Sequence, residues 1–352
     1  MTTPNPWPDR ADLAQRSLDH FFGTAEPQLL DNTYPAGDNS TFNYWWLAHV
    51  IDVRLDAFER TGDKAWLTAA EATSANLRGR NGGSLFNDYF DDMLWYALAL
   101  ERLARATGRQ EPLDDARALW EHVVEHGWNE TLGASVAWRK QQLYYKNTPA
   151  NGPFVILSAR LYQHDPDPRY LDHGTAAFDW ITATLVGPDG FVEDGINREG
   201  DGRVDTQWRF TYNQGLYIGA AVALDAVVPG REPAGSTLVE RALRTATTAL
   251  RELAPDGVVG SEGGGGDEGL FKGVLYRYLG TLLDRIGTTS PDAAVLVEFV
   301  RTSTDRLWET SLRDGYLLAG GDWRRPAELP VFYSTQLSAV MALELRASLE
   351  AR

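Results

Sequence analysis

Apolar residues return at helical spacing about twelve times along the chain, over stretches near 9–22, 43–60, 63–78, 91–107, 112–127, 149–164, 168–184, 211–226, 237–252, 268–286, 289–308 and 333–349. This pattern predicts an all-α protein. The stretches are of two kinds. Those beginning near 43, 91, 149, 211, 268 and 333 are apolar almost all the way round, as in "DDMLWYALAL" and "FVILSARLY", which suits helices covered on every side. The stretches between them, such as "PLDDARALWEHVVEHG", carry one apolar stripe and suit helices facing solvent.

The connections alternate as well. Short junctions, "TGD" at 61–63, "TGRQEP" at 107–112 and "DPDP" at 165–168, take turns with long glycine-rich ones over 23–42, 79–90, 128–148, 185–210, 253–267 and 310–332. Three long connections share a phrase, "PDGFV" from Pro188, "PDGVV" from Pro255 and "RDGYL" from Arg313, which reads as a turn followed by a short extended segment. The apolar helices start 48, 58, 62, 57 and 65 residues apart, an approximate period of stacked helical hairpins. Six inner helices within six outer ones, an (α/α)6 barrel forming a single catalytic domain over 1–352, is the predicted architecture; a linear superhelix of hairpins is the competing one. In the barrel all long loops emerge on one face, and function is expected there.

Composition narrows the chemistry. With 33 basic and 49 acidic residues the formal charge is −16, which repels nucleic acid and anionic membrane surfaces. No run of about 18 apolar residues offers a membrane span, so membrane insertion is not expected. The N-terminus shows no basic segment followed by an apolar core, so a cytoplasmic location is expected, with secretion the alternative for a trimmed chain. Nothing in the pattern calls for self-association, and a monomer is expected. The absence of cysteine excludes disulfides, thiolate metal sites and cysteine nucleophiles. None of the six histidines shares a metal spacing with another on the loop face: His122 and His126, four apart on a predicted outer helix, read as a solvated face. No metal or cofactor is expected. Twelve tryptophans and fourteen tyrosines suit both a large core and a sugar-binding cleft.

The candidate chemistry gathers where inner helices begin. In "SLFNDYFDDMLWYALAL", over 84–100, Asp91 and Asp92 open the fourth helix, with Leu94, Trp95 and Tyr96 as an apolar wall beyond them. A capping role stays open, with Asp88 as N-cap, Asp91 at N3 and the acidic first turn complementing the helix dipole. The sharper reading is a catalytic pair. Carboxylates on adjacent Cα atoms, about 3.8 Å apart, can flank one glycosidic bond at the ~5–5.5 Å that retention requires. Two neighbouring like charges resist double ionisation, so one group stays ionised as nucleophile while the other holds a proton as acid. At other inner-helix entrances stand Asn43, Tyr44, Trp45 and Trp46; Lys146, Asn147 and Asn151; Tyr212, Asn213 and Gln214; and Asp267, Glu268 and Lys272. Capping by Asn213 and solvation of Gln214 stay open beside a sugar-binding role. The acidic loop "DGFVEDGINREGDGRVD" lacks a calcium-loop pattern, and "GSEGGGGDEG" follows no strand that a dinucleotide motif would require.

Four stretches, "NDYFDDMLWYALAL", "YYKNTPANGPF", "RFTYNQGLYIGA" and "GLFKGVLYRYL", resemble in order and separation the signature segments of glycoside hydrolase family 76, the α-1,6-mannanases, over roughly 43–349. The resemblance implies an (α/α)6 barrel acting by retention without a metal on α-mannan or manno-oligosaccharides. It implies Asp91 as nucleophile, Asp92 as general acid/base, and Tyr212, Asn213 and Gln214 lining the sugar site. Asn43, Trp45, Asp88, Trp95, Asn147 and Lys272, at or just inside the inner-helix entrances, are further candidate substrate contacts. Two other classes compete: a sugar epimerase or isomerase on the same barrel, which works through histidine pairs that the long loops lack, and a glycan-binding protein without catalysis.

Overall fold

The structure is a computed structural model describing residues 6–351; the first five residues, part of the stretch read for an export signal, lie outside the described residues. Twelve α-helices are described: α1 Trp7–Phe22, α2 Tyr44–Thr61, α3 Lys64–Arg80, α4 Phe90–Thr107, α5 Gln110–Gly127, α6 Thr148–His164, α7 Pro168–Thr184, α8 Thr211–Asp225, α9 Leu238–Leu253, α10 Glu268–Ile286, α11 Ala294–Ser311 and α12 Tyr333–Glu350. Each coincides with a predicted stretch to within a few residues. The largest difference is at α11, predicted from 289. There Pro291–Ala293 form a separate 3-10 turn, with the Ser290 hydroxyl accepting from the Asp292 amide, before the α-helix begins.

The alternation of covered and half-covered helices is observed. In α4 every residue from Met93 to Ala104 is buried, and in α12 every residue from Tyr333 to Ala347. By contrast α3 buries only Ala70, Thr73, Asn76 and Leu77, and α5 a stripe including Leu113, Ala116, Leu119, Trp120 and Val123. The short junctions are tight because a left-handed glycine closes the helix before them: Gly62 (φ 70°) after α2 and Gly108 (φ 69°) after α4 return their amides to Phe58 and Ala104.

The chain forms two compact units, one from the residues up to Arg80 with those from Leu250 onward, the other Asn81–Ala249. In the first, α12 packs on α10, α1 and α2, and α2 on α3. Two-residue strands β1 Thr33–Tyr34 and β8 Val331–Phe332 pair antiparallel across its loops, and β6 Leu312–Arg313 and β7 Tyr316–Leu317 make a hairpin at "RDGYL". In the second, α6 packs on α4, α7 and α8, and α4 on α5. Its strands β2 Trp128–Asn129 and β3 Ser135–Val136 pair with one another, as do β4 Lys146–Asn147 and β5 Gly195–Ile196. The last pairing draws the start of α6 against the acidic loop before α8.

Candidate active site

Asp91 and Asp92 occupy the first turn of α4 and are both half-buried. Asp91 receives an N–H on each oxygen: Oδ1 accepts the Asp92 amide at 3.0 Å and Oδ2 the Trp138 indole Nε1 at 3.0 Å. Asp92 Oδ2 accepts Asn87 Nδ2 at 2.8 Å, while Asn87 Oδ1 accepts the Tyr89 amide at 2.9 Å. Donors of this kind fix a carboxylate's direction as well as satisfying it. The alternative in which Asp88 caps α4 does not hold: the N-cap is Tyr89 with no side-chain cap bond, and Asp88 is exposed, its backbone carbonyl accepting from the Lys140 amide at 3.0 Å.

Trp138 reaches the pair because its backbone is laced to the helix entrance. Its carbonyl accepts the Phe90 amide at 2.9 Å and its amide donates to the Tyr145 carbonyl at 3.0 Å. The Arg139 guanidinium lies 4.5 Å from the Trp138 ring centre, and Tyr89 meets that ring edge-on at 5.4 Å.

Beside it lies a second acidic network in the same unit, built on Asp194. This carboxylate is 1% exposed. Its Oδ1 accepts the Tyr212 hydroxyl at 2.9 Å and Asn213 Nδ2 at 3.1 Å, and its Oδ2 lies 3.0 Å from the Tyr145 hydroxyl and 2.9 Å from Arg198 Nη2. Arg198 Nε also donates to Asp205 Oδ2 at 3.0 Å, and its guanidinium covers the Trp208 ring at 3.7 Å. Burial raises the Asp194 pKa, against the pull of its donors and of Arg198. Burial and the Asp194 charge push the Tyr212 hydroxyl well above its usual value, so Tyr212 holds its proton as a donor. The alternative in which Asn213 caps α8 does not hold: the N-cap is Phe210, and Asn213 reaches Asp194 instead.

Several residues expected at the sugar site are spent on structure. Gln214 is fully buried, with its amide accepting the Val192 N–H and donating to the Val192 carbonyl. Asn147 caps α6, its side chain accepting the Ala150 amide at 3.1 Å, and Asn151 clasps both backbone groups of Val136. Trp95 is 4% exposed and belongs to the core, as do Leu94 and Tyr96. Lys146 Nζ donates to the carbonyls of Asn129 and Gly133, both at 2.6 Å.

Asn43, Trp45 and Lys272 lie in the other unit. Asn43 donates to Asn32, and the indoles of Trp45 and Trp46 both donate to Asp267 Oδ1, at 2.8 and 2.7 Å. Lys272 is 1% exposed, with Nζ held by the Gly260 and Gly321 carbonyls. Sequence reasoning missed Trp138, Asn87, Asp194, Asp205 and Arg198. The one signal for them was the richness of their loops in acidic, aromatic and arginine residues.

Among the described residues, no three histidine, aspartate or glutamate side chains come together as a metal-binding group, and no helix is long and apolar enough to cross a membrane. His122 and His126 stand with ring centres 4.3 Å apart on α5, and Phe86 stacks on His122.

The all-α scaffold presents adjacent carboxylates among aromatic and hydrogen-bonding side chains, and the comparisons with known proteins give its class, a glycoside hydrolase. The chain belongs to glycosyl hydrolase family 76, which it matches over residues 7–344. The Lin0763 protein of Listeria innocua is 44% identical with a TM-score of 0.93 over 98% of both chains. An inactive variant of the α-1,6-mannanase GH76A of Salegentibacter sp. HEL1_6, with two consecutive aspartates changed to asparagine and solved with α-1,6-mannotriose, is 32% identical, with a TM-score of 0.90 over 97% of this chain and 99% of that one. The mannan endo-1,6-α-mannosidase DCW1 of Saccharomyces cerevisiae is 22% identical over 220 residues, 56% of this chain and 47% of that protein's length, so the chain spans about half of that curated relative. The fold class is the (α/α)6 barrel expected from the alternating helices.

Proposed function

We propose that this chain is a retaining mannanase cutting α-1,6-linked mannose chains, with Asp91 as nucleophile and Asp92 as general acid/base. The observation that carries the reading is the directed pair itself: adjacent first-turn carboxylates, half-exposed, each held by a named N–H donor. Support comes from the inactive Salegentibacter variant, in which a consecutive aspartate pair is replaced and α-1,6-mannotriose is bound.

In the first step an Asp91 oxygen attacks the anomeric carbon while the glycosidic C–O bond breaks and Asp92 gives its proton to the departing oxygen. Esterification removes the Asp91 charge, so Asp92 becomes a better base. Water then loses a proton to Asp92 as its oxygen attacks the same carbon. The ester bond breaks, mannose leaves with its original configuration, and both carboxyl groups return to their starting states. Tyr212, kept protonated and donating its one hydroxyl proton to Asp194, offers its oxygen as a hydrogen-bond acceptor to a sugar hydroxyl beside the pair.

Incubation with linear α-1,6-mannan followed by sizing of the products tests the reading. New reducing ends from the wild type, and none from Asp91→Asn folded to the same thermal midpoint, are expected. Comparable turnover by that variant would refute the assignment.

A further inference from the structure

We infer that a cavity in the unit containing α10 and α12 is a second sugar site, taking one neutral hexopyranose ring. The cavity measures about 200 Å³, below the ~300–1,000 Å³ of pockets for drug-sized ligands and suited to a single ring. It opens where α10 begins, between the glycine-rich 261–265 loop and the 320–332 loop.

The lining is matched to a sugar. Glu268, in the first turn of α10, is half-buried and has no ion-pair partner among the described residues. It therefore presents acceptor oxygens to the cavity. The Thr335 hydroxyl, on a residue only 4% exposed, also lines the cavity and makes no hydrogen bond among the described residues. Phe332 adds a part-exposed aromatic ring, the surface on which the C–H face of a pyranose rests. An anion would meet the carboxylates, and the one arginine of the lining, Arg325, is already held by Glu328 at 2.8 Å. A ligand rich in hydroxyl donors satisfies Glu268 and Thr335 together.

The site is also braced. At Gly265 (φ 99°) a Cβ would fall 2.5 Å from the Phe332 ring, so only glycine lets the loop lie against it. Both indoles bonded to Asp267, and the Ser334 hydroxyl donating to the Gly266 carbonyl at 2.5 Å, hold the loop's end. Trp46 meets the Phe332 ring edge-on at 6.1 Å.

The inference rests on the proposed function only for the choice of mannose as probe. The test is a titration of methyl α-mannopyranoside into fluorotryptophan-labelled Asp91→Asn protein, followed by fluorine NMR, with Trp46 reporting on the cavity and Trp138 on the catalytic pair. The Trp46 resonance is expected to move saturably. Glu268→Gln should weaken that response about tenfold or more, the scale of a hydrogen bond to a charged acceptor, without altering the Trp138 response. Phe332→Leu should weaken it too, and serves if the first variant is unstable. A Trp46 resonance that never moves, a response indifferent to both substitutions, or saturation by glucosamine in place of the mannoside would overturn the inference. Failure of the wild type to cleave mannan while the Trp46 response persists would count against the proposed function alone.

Discussion

The indole N–H of Trp138 donates to Asp91 Oδ2 at 3.0 Å, tying a loop side chain to the first turn of α4. Trp138→Phe keeps the aromatic bulk and deletes that donor. A hydrogen bond to a charged group is worth about 1.5–3 kcal/mol, so kcat on α-1,6-mannan should fall roughly 10- to 100-fold with little change in KM or thermal midpoint. A merely structural role would lower the midpoint and leave kcat alone.

Asp194 gathers Tyr212, Asn213, Tyr145 and Arg198 around one buried carboxylate. Asp194→Asn removes the charge facing Arg198 and turns part of an acceptor into a donor that meets other donors. Urea unfolding should show a loss of about 3 kcal/mol, the scale of a broken buried pair. Activity should fall as well, because Tyr212 loses its anchor.

Glu101 separates folding from chemistry. It is 1% exposed and accepts from Arg105 at 2.9 Å, Arg160 at 3.3 Å and His164 at 2.9 Å. Burial alone would raise its pKa, yet the cations around it hold the value below the usual one. A depressed folded pKa gives stability that is present above the unfolded value and lost as pH falls through the folded one. Glu101→Gln should therefore cost about 3 kcal/mol near neutrality, with the gap to wild type closing in acid below about pH 4. Its kcat should match the wild type.

Burial lowers the pKa of Lys146 and of Lys272 to about 8 from 10.5. Between those values the unfolded chain binds more protons than the folded one, so these two groups make stability rise with pH. Buried tyrosines such as Tyr276 and Tyr333, raised by burial, act oppositely above pH 10.0, where unfolded tyrosine ionises. Lys272→Met removes the lysine term, so the wild type should gain stability relative to this variant from about pH 8 to pH 10. A constant difference across that window would contradict the burial argument.

The helices were legible because each buries a stripe or a whole surface, and burial writes a period into the chain. α8 and α10 begin where the pattern placed them, at Thr211 and Glu268. The aspartate pair was legible because it interrupts an apolar run at a helix entrance. Its partners were not. Trp138 reaches Asp91 across 47 residues and Tyr145 reaches Asp205 across 60, through loops whose course is set by two-residue strand pairings with no period to read. Gln214 and Asn147 misled for the complementary reason: polar residues at helix starts can serve buried backbone as readily as a ligand, and their types do not distinguish the two.

The most direct test of the central claim is the site of covalent attachment. An activated fluoromannoside is reacted with the enzyme, and the adduct is located by mass spectrometry of peptides. The account predicts one mannosyl ester on Asp91, and release of product with the anomeric configuration of the substrate. A label on Asp92 or on another residue, or a product of inverted configuration, would contradict it.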